Sequence, residues 1–109
     1  MGEFVKVANL SEIAPDTMKR VVVNGLDIAL VNSAGQISAV ENQCTHQYCA
    51  LHYGWVEGGR IICPCHGAEF EAATGKALDY MGEFPLTMFA TKVEGDEVFL
   101  DTTAPRMNP

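Results

Sequence analysis

Short apolar or alternating runs, separated by turn residues, dominate the chain. Such runs are typical of β-strands. The sharpest local signal is Asn24-Gly25, because a two-residue type I′ hairpin needs positive φ at both central positions. No segment keeps a helical period over ten or more residues, and a single short helical turn is expected at 11–15. The pattern predicts a mainly β chain with strands at 4–7, 19–23, 26–31, 36–40, 60–62, 69–71, 86–93 and 97–101.

The chemistry-bearing residues lie in one part of this β chain. All four cysteines and all three histidines fall between positions 44 and 66. We therefore expect a small β scaffold that carries one insert with the soft ligands, at about 41–85. A chain of 109 residues suffices for one domain, 1–109. The end, 102–109, has two prolines and little apolar content and is expected to be a frayed tail.

The charge balance narrows the range of partners. Seven Lys and Arg face 14 Asp and Glu, for a formal charge of −7. This balance opposes binding to nucleic acid or to anionic membranes, both of which need basic side chains on phosphates. No apolar run approaches a membrane span, and the first residues do not resemble a secretory signal. The expectation is a soluble, cytoplasmic protein.

Two short ligand-bearing arms stand out in the insert. The first is Cys44-Thr45-His46 and the second is Cys63-Pro64-Cys65-His66, so each arm offers one thiolate and one imidazole. Thiolates favour zinc and iron–sulfur clusters, and imidazole suits both. A structural zinc site is one interpretation, although zinc patterns usually pair like ligands with like. The mixed order within each arm is the pattern of Rieske [2Fe-2S] centres, in which two His replace two Cys on one iron.

The sequence resembles the Rieske ferredoxin family along nearly its whole length. The matching text is Cys44-Thr45-His46, then Cys63-Pro64-Cys65-His66-Gly67-Ala68-Glu69-Phe70 and Thr74-Gly75-Lys76-Ala77. The resemblance implies an all-β fold: a small Rieske-type antiparallel β-sandwich with an inserted cluster-binding subdomain. It also implies one [2Fe-2S] cluster, with Cys44 and Cys63 on the inner iron and His46 and His66 on the exposed outer iron. The segment 81–86, with Pro85, resembles the loop that covers the cluster, and Gly67 allows a sharp turn after His66.

Two further cysteines, Cys49 and Cys65, have two interpretations. They are either two buried thiols in a reducing compartment or a disulfide between the ligand arms. Their positions resemble those of the disulfide in Rieske subunits of respiratory cytochrome bc complexes, and on that resemblance we favour the bridge. It would close a loop of about 16 residues and stabilise the fold by about 3 kcal/mol in the chain-entropy model.

The sequence departs from the respiratory subunits beside the second arm. It has Ala68 and Phe70 where those subunits commonly have Ser and Tyr, whose hydroxyls donate hydrogen bonds to cluster sulfurs. Fewer donors lower the reduction potential. We therefore expect a potential within the Rieske range of about −150 to +300 mV, and not at its top.

The predicted function is one-electron transfer from a reductase to an oxygenase or another acceptor. The partners are expected to dock at the tip that carries His46 and His66, formed by 44–55, 63–68 and 81–85. An oxygenase would also need a mononuclear iron held by two His and a carboxylate, and only His52 remains, so the chain is expected to be a carrier and not an enzyme. The alternatives are a soluble relative of the respiratory Rieske proteins and a non-redox zinc module.

Overall fold

The computed structural model describes residues 4–43, 49–65, 67–78 and 86–107. The strands are β1 (Val5–Asn9), β2 (Thr17–Val23), β3 (Leu26–Ser33), β4 (Gln36–Glu41), β5 (Trp55–Glu57), β6 (Arg60–Ile62), β7 (Glu69–Glu71), β8 (Thr87–Glu94) and β9 (Glu97–Met107). Two 3-10 turns, Leu10–Glu12 and Leu51–Tyr53, complete the regular structure. The described residues contain no α-helix, and the prediction of an all-β fold is confirmed.

The strands form two antiparallel sheets. The large sheet has the order β1-β9-β8-β4-β3-β2, and the small sheet has the order β5-β6-β7. The small sheet comes from the insert between β4 and β8, as the clustering of cysteines and histidines in the sequence predicts. Asn24 and Gly25 join β2 to β3 with φ values of 53° and 78°. Both values are positive, as the type I′ hairpin requires.

Strand β3 explains how the two sheets are held together. Its run from Ile28 to Val31 is fully buried, and successive side chains of a strand point to opposite faces. Ala29 and Val31 face a core that includes residues of all three small-sheet strands. Ile28 and Leu30 face a second core, built from the large sheet together with Ile13. The large sheet is therefore anchored on both faces, and its first face carries the insert.

Two features differ from the sequence-based expectations. Strand β5 is absent from the predicted strands; it has only three residues and is bracketed by Gly54 and Gly58, so its apolar pattern is too short to recognise. The expected frayed tail from Thr102 is wrong up to Met107, because β9 continues that far and pairs with the start of β8, at Thr87 and Met88. Backbone pairing does not need the apolar side chains that the tail lacks.

Within the described ranges, no helix has the length and apolar character that crossing a bilayer requires.

Candidate metal centre

The structure describes part of the predicted ligand set. Cys63 lies directly after β6, the central strand of the small sheet. The other three predicted ligands, Cys44, His46 and His66, lie outside the described residues, as does Pro85 of the predicted covering loop. The geometry of the site is therefore built from Cys63, the loop that follows it, and the residues around them.

A closed backbone loop presents the second ligand arm. The Cys63 N–H donates to the Ala68 carbonyl at 2.8 Å, and the Gly67 N–H donates to the Cys63 carbonyl at 3.1 Å. Gly67 has a φ of 75°, a left-handed conformation that costs glycine little. This turn, as the sequence predicted at Gly67, brings the chain back to β7 and leaves Pro64 and Cys65 exposed at its end.

The thiol of Cys63 lies on the apolar side of this loop. Cys63 is 1% exposed, and Ala68 and Phe70 are fully buried. All three belong to the core between the two sheets. Such an apolar shell restricts the access of water to a metal centre and thereby tunes its potential. Neither Ala68 nor Phe70 carries a side-chain donor, in agreement with the sequence-based comparison.

The structure joins Cys49 and Cys65 in a disulfide, with Cα atoms 6.4 Å apart. Cys49 directly follows the segment 44–48, which contains the first ligand arm, and Cys65 belongs to the second arm. The bridge therefore ties the end of one arm to the other. The Sγ atoms of Cys49, Cys63 and Cys65 all lie within 4.8 Å of one another, so three of the four cysteines are gathered at one point.

Gly54 lets its own segment of the chain pack closely against the second arm. A Cβ built on Gly54 would lie 3.1 Å from Pro64 Cδ and would overlap the carbonyl oxygen of Ile62. That backbone oxygen belongs to the last residue of β6, immediately before Cys63. Any side chain at position 54 would push the second arm away. The sequence gives no sign of this close contact, because glycine before a strand also reads as ordinary turn chemistry.

Asn42 fixes the start of the insert. Its side chain is 4% exposed; Nδ2 donates to Asp27 Oδ1 at 3.1 Å, and Oδ1 accepts from the His52 N–H at 2.8 Å. Nδ2 also lies 2.7 Å from His52 Nδ1, which accepts from it in the neutral ring. Asn42, which lies two positions before Cys44, therefore links β3 to the 3-10 turn Leu51–Tyr53. Asn42 is absent from the predicted site residues, since a lone Asn after a strand resembles a turn residue.

Asp27 holds Asn42 in this orientation. Desolvation raises the pKa of Asp27, but hydrogen bonds from Arg20 and Asn42 lower it more, so the pKa lies below its ordinary value. The Arg20 Nε donates to Asp27 Oδ1 at 2.9 Å. Asp27 therefore remains a carboxylate over a wide pH range and stays an acceptor for the Asn42 amide.

The far side of the insert is anchored at Gly75. The Leu86 N–H donates to the Gly75 carbonyl at 2.8 Å, and a Cβ on Gly75 would lie 2.9 Å from the Leu86 carbonyl oxygen. Gly75 also has a φ of 78°. Leu86 directly follows the segment 79–85, which contains the predicted covering loop, so the chain that leaves this segment is fixed against the β7 turn.

The fit of the site to a metal cluster follows from its donors. A buried thiol, an apolar lining without side-chain donors and a cross-link between the arms suit a thiolate ligand that must be kept from water. Fold and site together define a small β protein whose buried Cys63 thiol has surroundings that suit a metal ligand.

Comparison with known proteins identifies the class. The family model of the Rieske [2Fe-2S] domain matches residues 3–90. The chain is 32% identical over 99 residues to the ferredoxin component of the naphthalene 1,2-dioxygenase system of Pseudomonas aeruginosa, covering 91% of this chain and 95% of that protein. It is 33% identical over 98 residues to the ferredoxin component of biphenyl 2,3-dioxygenase of Rhodococcus jostii, covering 90% and 92%.

A solved structure agrees with these relatives. The fold superposes with a TM-score of 0.83 on a chain from the complex of reduced oxygenase and oxidized ferredoxin in carbazole 1,9a-dioxygenase, at 32% identity and covering 90% of this chain and 92% of that one. The chain belongs to the Rieske [2Fe-2S] family. It is an electron-transfer protein with a Rieske-type [2Fe-2S] cluster as its cofactor, and its relatives are ferredoxin components rather than catalytic subunits.

Proposed function

We propose that the chain carries single electrons from a reductase to an oxygenase, as one Rieske domain that works in the cytoplasm. The ferredoxin relatives belong to oxygenase systems, and a structural neighbour comes from a complex with an oxygenase. Those relatives are matched over at least 90% of this chain, so the likeness extends over scaffold and insert together. The observation that carries the proposal is the buried Cys63 in a closed loop of the family's ligand arm.

The proposed ligands are Cys44, His46, Cys63 and His66. When bound, the cluster supplies a centre that gains and loses one electron. The chain's own contribution is to hold and shield it. The loop from Cys63 to Ala68 fixes one thiolate on the apolar side, and the Cys49–Cys65 bridge keeps the arms together. The residues proposed to surround these ligands are Gly67, Ala68, Phe70 and Pro85.

The proposed docking surface is the tip around His46 and His66. Its described part exposes two aromatic side chains, with Tyr53 75% and Trp55 49% accessible. Tyr and Trp are enriched among the residues that dominate protein–protein binding energy. Trp55 pairs with Ile62, the residue before Cys63, so a partner that covers Trp55 lies close to the proposed cluster.

Ligand variants with matched controls test the cluster assignment. We expect His46→Ala, His66→Ala and Cys63→Ser to lose the Rieske absorption and the paramagnetic signal of the reduced state. His52→Ala removes the remaining histidine and is expected to keep both signals. Loss of the cluster in His52→Ala, or its retention in Cys63→Ser, would contradict the assignment.

Electron transfer to a partner tests the carrier function. The reduced chain is mixed with an oxidised Rieske oxygenase in a stopped-flow spectrometer, and cluster reoxidation is followed. We expect Tyr53→Ser and Trp55→Ser to slow transfer at low partner concentration by at least about tenfold, the cost of about 1.4 kcal/mol of binding. Val93→Ser is the control. Val93 is also exposed, but it lies at the C-terminal end of β8, beside the turn to β9, and belongs to none of the segments that form the tip. An equal loss in all three variants would refute docking at the tip.

A further inference from the structure

Three cysteine sulfurs lie close together at the proposed cluster site. Only one of them, that of Cys63, is a proposed ligand of the iron–sulfur cluster. The Sγ atoms of Cys49, Cys63 and Cys65 lie within 4.8 Å of one another, with Cys63 buried, Cys49 half-buried and Cys65 exposed. In a tetrahedral zinc site the thiolates lie about 2.3 Å from the metal, which places them about 3.8 Å apart. Opening the disulfide lets the Cys49 and Cys65 sulfurs, which are bonded to each other in the structure, move apart to this spacing, and the Cys63 sulfur already lies within 4.8 Å of both.

The scaffold keeps these sulfurs together without the disulfide. The Cys63 N–H donates to the Ala68 carbonyl, and Gly54, which follows Cys49 in the same segment, packs against the Ile62 carbonyl just before Cys63. The N–H of Gly54 also donates to the Leu51 carbonyl at 2.8 Å, which fixes the chain just after Cys49. Reduction removes the covalent link, and the non-covalent contacts still bring the two arms together.

We propose that Cys49, Cys63 and Cys65 form a zinc-binding site when the disulfide is reduced and the cluster is absent. A dithiol reductant converts the Cys49–Cys65 bond into two thiols and is itself oxidised to a disulfide. Binding of Zn²⁺ to the three thiols then releases three protons and gives a tris-thiolate complex with a net charge of −1. The three thiolates occupy three positions of a tetrahedral zinc site.

The site gives the disulfide a function besides stabilisation. Cys63 is shared with the proposed cluster site, so this inference rests on the proposed function in assigning Cys63 as a cluster ligand. Zinc and cluster then exclude each other. Closing the bridge removes two of the three zinc ligands and leaves Cys63 for iron. The disulfide thereby selects the metal, because the protein with closed sulfurs cannot form the zinc site.

The test uses the full chain carrying Cys44→Ser, which removes one ligand of the proposed cluster and leaves all three zinc ligands. The cluster-free protein is reduced with a phosphine, and Co²⁺ is titrated as a spectroscopic probe before competition with Zn²⁺. We expect one ion per chain, with the charge-transfer intensity of three thiolates. The oxidised protein, and the reduced triple variant that also carries Cys49→Ser and Cys65→Ser, are expected to bind zinc roughly 100-fold more weakly. Equal affinity in the oxidised and reduced forms would overturn the proposal.

A second measurement follows competition with the cluster in the chain with all four cysteines. The cluster-free protein is reduced, loaded with one equivalent of Zn²⁺ and then supplied with iron and sulfide. We expect cluster yield to fall at least about tenfold relative to the Cys49→Ser/Cys65→Ser variant treated in the same way. Equal yields would overturn mutual exclusion. If neither protein forms a cluster even without zinc, the proposed function fails, whereas the Co²⁺ result stands separately.

Discussion

The large sheet and the cluster-bearing insert are stabilised by different means. The large sheet has strands of five to 11 residues, and β3 is buried on both faces. The insert has three strands of three residues each. It depends on individual contacts: the Cys49–Cys65 disulfide, the close backbone approaches at Gly54 and Gly75, and the buried side-chain amide of Asn42. A short β segment is not stable by backbone pairing alone. The scaffold is therefore stabilised by pairing and packing of its long strands, whereas the insert is stabilised by individual contacts that also position the site.

The largest predicted effect separates the two cores. Phe70→Ala removes the largest fully buried side chain and should destabilise the protein by about 3–5 kcal/mol. It should also speed cluster loss, because Phe70 shares its core with Cys63. Leu100→Ala in the second core should cost about 2–5 kcal/mol and leave the cluster half-life of the folded protein nearly unchanged. Urea unfolding and the decay of visible absorption measure the two effects, and equal cluster loss in both variants would break the comparison.

Opening the disulfide should weaken the insert selectively. Cys49→Ser/Cys65→Ser removes a link that closes a loop of 16 residues, with an expected cost of about 3 kcal/mol. Hydrogen exchange should accelerate in β5, β6 and β7 and stay slow in β3. If exchange in β3 and β6 rises equally, the insert and the scaffold unfold as one unit.

Two buried asparagines give a matched pair. Asn42 ties the insert to β3, whereas Asn32 donates to the Ile13 carbonyl at 2.7 Å within the scaffold. Each change to Ala should cost about 1–3 kcal/mol, because it removes the hydrogen bonds of a buried side-chain amide. Only Asn42→Ala should alter the spectrum and potential of the cluster. An unchanged spectrum and potential in Asn42→Ala would show that the Asn42 hydrogen bonds serve stability alone.

A hydroxyl beside the cluster should raise the potential. Phe70→Tyr introduces a donor in the lining next to Cys63, and hydrogen bonds to the ligand sulfurs stabilise the more negative reduced state. We expect an upward shift of roughly 60 mV, which for one electron corresponds to a tenfold change in the equilibrium constant. Protein-film voltammetry measures the shift. A lower potential in Phe70→Tyr would contradict the role assigned to this position.

The smallest effect concerns pH. The pKa of Asp27 is lowered in the folded protein, so its stabilising contribution is present above the unfolded-state pKa of about 3.9 and is lost as pH falls through the folded value. Asp27 is partly exposed, and solvent screening limits its contribution to about 0.5 kcal/mol. The stability difference between the unchanged protein and Asp27→Asn should therefore shrink below pH 4. A difference that grows on acidification would have the wrong sign.

The sequence predicts the scaffold well and the insert less completely. Alternation and turn residues locate the long strands, since buried faces impose a period of two. Strand β5 escapes because three residues give no period, and the end of β9 escapes because its pairing is made by the backbone. At the site, a ligand motif identifies Cys63 and Gly67. Gly54 and Asn42 act through residues distant in sequence, Pro64 and Asp27, and such contacts leave no local pattern.

The most direct test of the central claim is pulsed electron paramagnetic resonance on the reduced protein. A Rieske cluster at the proposed site should show hyperfine couplings from the nitrogens of two histidine ligands, unchanged in His52→Ala and lost together with the paramagnetic signal when His46 or His66 is replaced. Couplings that are absent from the reduced protein, or that disappear in His52→Ala, would contradict a Rieske cluster held by Cys44, His46, Cys63 and His66.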